Sequence, residues 1–531
     1  MRPIPVKEIY PRGDIYARLI KNYARLHDRR YRAGTAGRLP DAASVGWPGD
    51  WEGRTLLALC LEAEALGQTH AYPDELARDI LDRLNADGYM GGIIDPLSIN
   101  EQVYPSNSWL MRGLIEYCRM TGDGAARRAI DGLLDGLFLP MLPHLENYPK
   151  AGETGKGGAR GEAIGAERGT YREWRLSSDT GCVFISLDGL TAAYGFTGRK
   201  DLLPLIGELR DRFAATDWAG IPMQTHATLS CARGLVRLYQ LTGDEKALDA
   251  AKRVYDAYEE RGMTPWYANM NWFETPSWTE PCAVIDSFIL TNMLWEATGE
   301  ERYLRASHRI MSALYRGQRP NGGFGCDTTG EDGLIGIRYY EAYWCCSMRG
   351  GEGLSYIARN SAYEDDGAIV LPRFTDCEFR AGGCLLREED RTLTDGTVRI
   401  TVLEGDETRT LRLYAPEADA GLTLNGENVP MARGDGFDTA RVRLTKGSVL
   451  VYDTRPCLRF APAAGERGEL LMYGEEVLMG FDAGTEKPDI RQLKRTGRCE
   501  WKTGGKQYVP ISGTYLMDED KMKEAPGRIV F

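Results

Sequence analysis

Four segments of the chain end alike, and that ending constrains the fold more than any other feature. They read YCRMTGDGAA (117–126), AYGFTGRKDLL (193–203), LYQLTGDEKAL (238–248) and LWEATGEERYL (294–304). In each, an apolar run stops at Thr-Gly, charged residues follow, and a new apolar run begins. Gly122, Gly198, Gly243 and Gly299 fit the left-handed conformation that closes an α-helix. The acidic residues close behind suit the start of the next helix. The preceding runs have helical spacing, as in Trp109, Leu110, Leu114, Cys118 and in Ile285, Phe288, Ile289, Met293. Helix, glycine stop, helix predicts stacked helical hairpins over residues 1–360. The stops lie 76, 45 and 56 residues apart. That is too uneven for a regular solenoid, and a closed toroid of hairpins with long inner loops fits better. One such loop is the Gly-rich stretch 151–170, of a length that is usually functional or disordered.

Past Asn360 the period changes from helical to two. TVRITVLEG, TRTLRLYAPE and SVLVYDTRP alternate apolar and polar residues, and Asn425-Gly426 between such runs is a hairpin-turn signal. Residues 361–531 therefore read as one or more β-sandwich domains, with a charged, exposed tail at 517–526.

Charge and cysteine usage narrow the setting. The balance is 65 basic to 77 acidic residues, a formal charge of −12, which argues against a nucleic-acid partner. No apolar run approaches membrane-spanning length, so no membrane partner is expected. The opening residues carry charge throughout and lack the apolar core of a secretory signal. Twelve cysteines without a signal imply free thiols in a reducing, cytoplasmic setting. Walker A, Rossmann and G-x-S-x-G patterns are absent.

Chemistry concentrates in two short stretches. In EAYWCCSMRGGEGLSYIA (341–358) the adjacent Cys345 and Cys346 precede a helix, and in WTEPCAVIDSF (278–288) Glu280 and Cys282 do the same. A disulfide between neighbouring cysteines is strained. Residues i and i+2 of an extended segment point the same way. Three thiolates and one carboxylate make a tetrahedral set suited to Zn²⁺. On spacing alone the same four residues are equally readable as ordinary buried side chains.

Glu-x-Cys with a distal Cys-Cys, on helical hairpins leading into a sandwich, resembles the β-L-arabinofuranosidases of glycoside hydrolase family 127 and relatives. PVKEIYPRGDIYARLIKN resembles that family's opening, QTHATLSCARGLVRLYQLTGD (224–244) its His-containing helix, and TRTLRLYAPEADAGLTLNGENV with RLTKGSVLVYDTRP its sandwich. The resemblance implies a mainly α fold, an (α/α)6-type helical barrel followed by a C-terminal antiparallel β-sandwich. It implies that Glu280, Cys282, Cys345 and Cys346 bind Zn²⁺ and that Cys345 is the nucleophile of a retaining exo-glycosidase. The substrate would be a glycoside or oligosaccharide with terminal L-arabinofuranose or a related small sugar of plant glycans. A zinc-bound sulfur stays ionised at neutral pH.

The general acid is expected upstream of the Glu-x-Cys motif, where this chain is shortened. Glu274 is the candidate there, and Glu341 is a second. His226 is either a substrate contact, as the resemblance implies, or a structural residue. Trp272, Trp278, Trp344 and Tyr104 are either sugar-stacking or packing rings. Ser108 stands where the family pattern has a histidine. Cys326 is not expected to be a ligand. Other readings of the same sequence are a carboxylate-only glycosidase or lyase with a structural zinc, using Asp179, Asp286 or Glu352, and a non-catalytic carbohydrate-binding protein. A homodimer is compatible with each.

Overall fold

The computed structural model describes residues 1–32, 46–68, 71–149, 167–221, 223–329, 333–416, 419–481, 483–497, 500–516 and 527–531. His70, Cys499, most of the 151–170 loop and the tail 517–526 lie outside them.

Twelve α-helices are present among the described residues: α1 Gly13–Leu26, α2 Asp50–Leu66, α3 Ala71–Asp82, α4 Val103–Thr121, α5 Gly124–Leu133, α6 Ser186–Thr197, α7 Leu203–Ala214, α8 Thr225–Thr242, α9 Glu245–Arg261, α10 Pro281–Thr298, α11 Glu301–Gly317 and α12 Cys346–Arg359. The even-numbered six form a closed ring. α2 packs on α4, α4 on α6, α6 on α8, α8 on α10, α10 on α12, and α12 returns to α2. The odd-numbered six lie outside them. α11 packs on α10 and α9 on α8, while α1 packs on both α12 and α2. This is the expected toroid of six hairpins.

Sequence sets the two layers. An inner helix is covered all round and must be apolar or internally paired on every face. In α10 every residue from Pro281 to Trp295 is buried. An outer helix needs only one apolar stripe, and α1 buries Ile15, Leu19, Tyr23 and Leu26 with Arg18 and Asn22 on one side. The predicted stops hold: Gly122, Gly198, Gly243 and Gly299 have φ of 73°, 71°, 73° and 72°. Asp123 and Asp244 then cap the helices that follow. Gly53 of α2 and Gly113 of α4 let two inner helices touch backbone to backbone. A Cβ at Gly53 would stand 2.3 Å from the Leu110 nitrogen.

The C-terminal part is strand-rich, with a six-stranded and a seven-stranded sheet and a further eight-stranded one. Asn425 and Gly426 form the expected turn, both at positive φ, joining Gly421–Leu424 to Glu427–Asn428. Pairing is antiparallel except that Ala368–Leu371 runs parallel to Asp406–Tyr414. The two parts are more interlocked than the sequence suggests. Ile9–Pro11 pairs with Cys377–Phe379, Arg2–Pro3 with Tyr363–Glu364, and Leu334–Ile335 with Gly527–Arg528. These strands of two or three residues are too short to show a period of two. No described helix is long and apolar enough to cross a membrane.

His308 of α11 stacks on Tyr414 of the sandwich, centroids 4.0 Å apart, and its Nε2 donates to the Pro372 carbonyl at 2.8 Å. Burial takes its pKa down to about 3, so the folded ring stays neutral. The unfolded ring takes up a proton near pH 6.5, so stability present above that pH is lost as the pH falls toward the folded value. The loss is roughly 1.4 kcal/mol per pH unit. Between pH 7 and pH 5 the wild type should therefore lose about 2 kcal/mol more than His308→Gln in urea unfolding. Equal losses would show that the ring is not held neutral.

Candidate metal centre and its surroundings

The inner helices begin at one end of the barrel, and the chemistry-bearing residues sit at those beginnings. Glu280 is the extended N-cap of α10, with φ −119° and ψ 113°, and Pro281 fixes the first helical turn. Cys282 is therefore already helical rather than part of an extended pair. Cys345 is the N-cap of α12 and Cys346 its first residue. Asn269 Oδ1 accepts the Glu280 N–H at 2.8 Å and holds that cap in place.

All four side chains are buried, and one ligand atom from each lies within 4.8 Å of all the others. Cys345 Sγ is 3.4 Å from Cys346 Sγ and 3.8 Å from Glu280 Oε1, and Cys282 Sγ is 3.7 Å from Cys346 Sγ. Tetrahedral metal–sulfur bonds of about 2.3 Å place sulfurs roughly 3.8 Å apart, so the cluster has the size of a metal site. Glu280 Oε2 is buried without a hydrogen-bond partner among the described residues, and a carboxylate oxygen in that position can serve as a metal ligand. The donor set and this orphan oxygen fit a divalent ion.

Electrostatics point the same way. Burial, with Asp179 nearby, pushes the Glu280 carboxyl up to about 8. Burial also pushes the Cys282 and Cys346 thiols well above their ordinary range. For Cys345 the Cys282 thiol pulls down, but Cys346 and burial together outweigh it and the net shift is upward. Four acidic groups this close cannot all ionise unaided, and a cation among them reverses that. The amide ends of α10 and α12 add partial positive charge at the same place.

Behind the cluster lies a buried ionic network. Arg54 Nε donates to Asp50 Oδ2 at 2.8 Å, and its terminal nitrogens lie 3.3 and 3.4 Å from His226 Nε2 and, for one of them, 3.9 Å from Cys282 Sγ. His226 Nδ1 lies 2.6 Å from Asp286 Oδ2. Asp286 Oδ1 accepts from Arg233 and Arg349. Arg233 also reaches Glu352 at 2.6 Å, and Arg112 bridges to Asp188. The guanidiniums of Arg54 and Arg349 each lie over the Trp109 ring, at 4.3 and 4.4 Å. Burial opposes ionisation of Asp286, but Arg349, His226 and Arg233 outweigh it and hold the carboxyl well below the usual range.

Neither a family model nor a curated protein sequence matches this chain. Solved structures do. A GH127 β-arabinofuranosidase superposes with a TM-score of 0.68 at 13% identity, covering 90% of this chain and 85% of that one. The GH127 β-L-arabinofuranosidase of Geobacillus stearothermophilus T6 gives 0.68 at 14%, covering 98% and 99%. A further glycoside hydrolase gives 0.68 at 12%, covering 99% and 96%. The chain has the GH127 fold.

Within this GH127 fold the other candidates separate. Glu274 is 55% exposed and paired with Arg261 at 2.7 Å, outside the buried cluster. Glu341 accepts from both nitrogens of the Arg25 fork and from Tyr31, and joins α1 to the loop before α12. Burial raises the Glu341 carboxyl, but Arg25 and Tyr31 outweigh burial and hold it below its ordinary range, which suits a clamp rather than a proton donor. Asp179 is buried, accepts from Gln224 Nε2 at 3.2 Å, and lies near enough to act on Glu280. Asp286 and Glu352 are held by the arginine network. Trp272 and Trp278 are buried and meet edge to face; Trp278 continues through Tyr339 to the half-buried Trp344. Tyr104 packs in the core against Phe138 and Trp174. Ser108 binds the Ile185 carbonyl and the Gly189 amide across two inner helices. The Cys326 thiol reaches Cys346 but is not one of the four close donors. All eleven described cysteines are free.

Sequence reasoning placed Arg54 at the mouth of the site but did not anticipate the arginines behind it. Their signal was present, since Arg233, Arg237 and Arg349 interrupt otherwise apolar inner helices. The shared carboxylate gives a test. Asp286→Asn leaves Arg233 and Arg349 without their common negative charge and should cost about 3–5 kcal/mol in guanidinium unfolding. A loss below about 1 kcal/mol would show that the network does not support the barrel.

Proposed function

We propose that this protein is a zinc-dependent, retaining exo-glycosidase with Cys345 as nucleophile, acting on terminal L-arabinofuranose or a related small sugar of plant glycans. The observation that carries the reading is the convergence of Glu280, Cys282, Cys345 and Cys346 at the helix N-termini of a GH127 fold. These four residues would hold the ion. The ion supplies the positive charge that keeps the sulfurs ionised at neutral pH.

Exposure supports the choice among the three sulfurs. Cys345 is 9% exposed, whereas Cys282 and Cys346 are fully buried. Cys345 Sγ attacks the anomeric carbon as the glycosidic C–O bond breaks, and the leaving oxygen takes a proton. The resulting thioglycoside is then opened by water, whose proton returns to the same acid/base group, and the C–S bond breaks with overall retention. For that group Asp179 fits better than Glu274. Asp179 is buried beside Glu280, while Glu274 would have to leave Arg261 and a solvated surface. Trp344, at the exposed end of the aromatic series, is the ring best placed to meet a sugar. The free thiols support a reducing cytoplasmic setting and hence short imported substrates.

The test combines metal analysis with a panel of aryl and alkyl glycosides. One divalent ion per chain is expected under reducing conditions. Cys345→Ala and Cys345→Ser should both abolish turnover, and activity in either variant would remove the nucleophile role. Asp179→Asn should lose about 10²–10⁴-fold on poor leaving groups and much less on dinitrophenyl glycosides, as loss of a general acid requires. Glu274→Gln should stay within about threefold of wild type; the reverse pattern would return the role to Glu274.

A further inference from the structure

The metal reading leaves a charge imbalance. Three thiolates and a carboxylate carry four negative charges, and a divalent ion cancels two. The remainder sits among buried side chains, where unpaired charge is costly. One cationic side chain has a direct sulfur contact among the described residues: Arg54, 3.9 Å from Cys282 Sγ. We propose that Arg54 is the charge partner of the sulfur cluster and that His226 is the positioning residue that aims it, rather than a contact for the sugar. This inference rests on the metal reading of the site.

The hydrogen-bond pattern fixes the protons. Asp286 is anionic because Arg233 and Arg349 both donate to its Oδ1. Its Oδ2 therefore accepts from His226 Nδ1 at 2.6 Å, and that nitrogen carries the proton. Arginine nitrogens only donate. His226 Nε2 faces two of them, at 3.3 and 3.4 Å, and must present its lone pair. Both requirements select the same neutral tautomer. The imidazole thus passes the negative charge of Asp286 to Arg54 as an oriented dipole. Asp50 takes the Arg54 Nε and the Trp109 face covers its plane, so the fork is held from three directions and one terminal N–H is left toward sulfur. Both nitrogens of His226 are spent on protein partners, and the ring is 3% exposed. It has no free atom for a ligand.

The experiment measures metal binding directly. Zn²⁺ affinity is determined by competition with a chromophoric chelator, and sulfur-to-metal charge transfer is read in the Co²⁺-substituted protein, for wild type, Arg54→Gln, Arg54→Lys and His226→Gln. Arg54→Gln should weaken Zn²⁺ binding at least tenfold and move the charge-transfer band to longer wavelength, because an unassisted sulfur gives up electron density more readily. Arg54→Lys, which keeps the charge, should stay within about threefold. His226→Gln should shift both readouts in the same direction as Arg54→Gln but less. If Arg54→Gln does not fold, His226→Gln decides alone. Affinities within twofold of wild type and an unmoved band overturn the proposal while leaving the metal reading intact. A wild-type protein that takes up neither ion overturns both.

Discussion

Four buried acidic side chains crowded into a space less than 5 Å across impose a requirement on everything around them. Their charge has to be met at once, at short range, by groups that are already in place. The barrel meets it in two ways. Inner helices that start at the same end turn their amide dipoles toward one point. Behind that point, arginines on α2, α4, α8 and α12 carry positive charge into the barrel interior.

The arginines also tie the ring together. Asp286 of α10 joins α8 through Arg233 and α12 through Arg349. Glu352 of α12 reaches Arg233 on α8, and Asp188 of α6 links Arg112 on α4 with Arg237 on α8. Each carboxylate bridges neighbours or spans the axis. An isolated buried ion pair contributes little to stability, because losing water offsets the attraction. A ladder in which every carboxylate is shared also specifies geometry, since a shifted helix would leave several charges unpaired together. The same lattice that sets the barrel fixes the orientation of His226 and Arg54, so shape and electrostatics at the sulfur cluster have one origin.

Much of this was legible in the sequence. The glycine stops gave the hairpins because a left-handed helix end is a local property of Thr-Gly and its neighbours. The change of period after Asn360 marked the strands for an equally local reason. Glu-x-Cys and Cys-Cys could be singled out as pairs, and a family resemblance joined them. What stayed hidden depends on contacts between distant segments. Glu274 was attractive because it lies near the motif in sequence, but the chain turns it outward to Arg261. Tyr104 was open between sugar stacking and packing, and its ring lies in the core against Phe138 and Trp174. For His226 the sequence left a substrate contact and a structural role open, and it could not show that Asp286 and Arg54 lie against its two nitrogens. The sandwich boundary was blurred by strands of two or three residues, too short to leave a pattern.

Within the first eleven residues, Arg2–Pro3 and Ile9–Pro11 are strands of the C-terminal sheets, and α1 packs between α12 and α2. The helical ring is therefore closed by strands from before α1 pairing with strands from after α12. During synthesis the opening residues leave the ribosome at least 360 positions ahead of their partners. The ring cannot be locked until the segment after Asn360 has emerged. Cys282, Cys345 and Cys346 lie at the starts of α10 and α12, among the last parts of the ring to be made. A chain that stopped short of residues 363–379 would leave Arg2–Pro3 and Ile9–Pro11 without their strand partners and the ring without this closure.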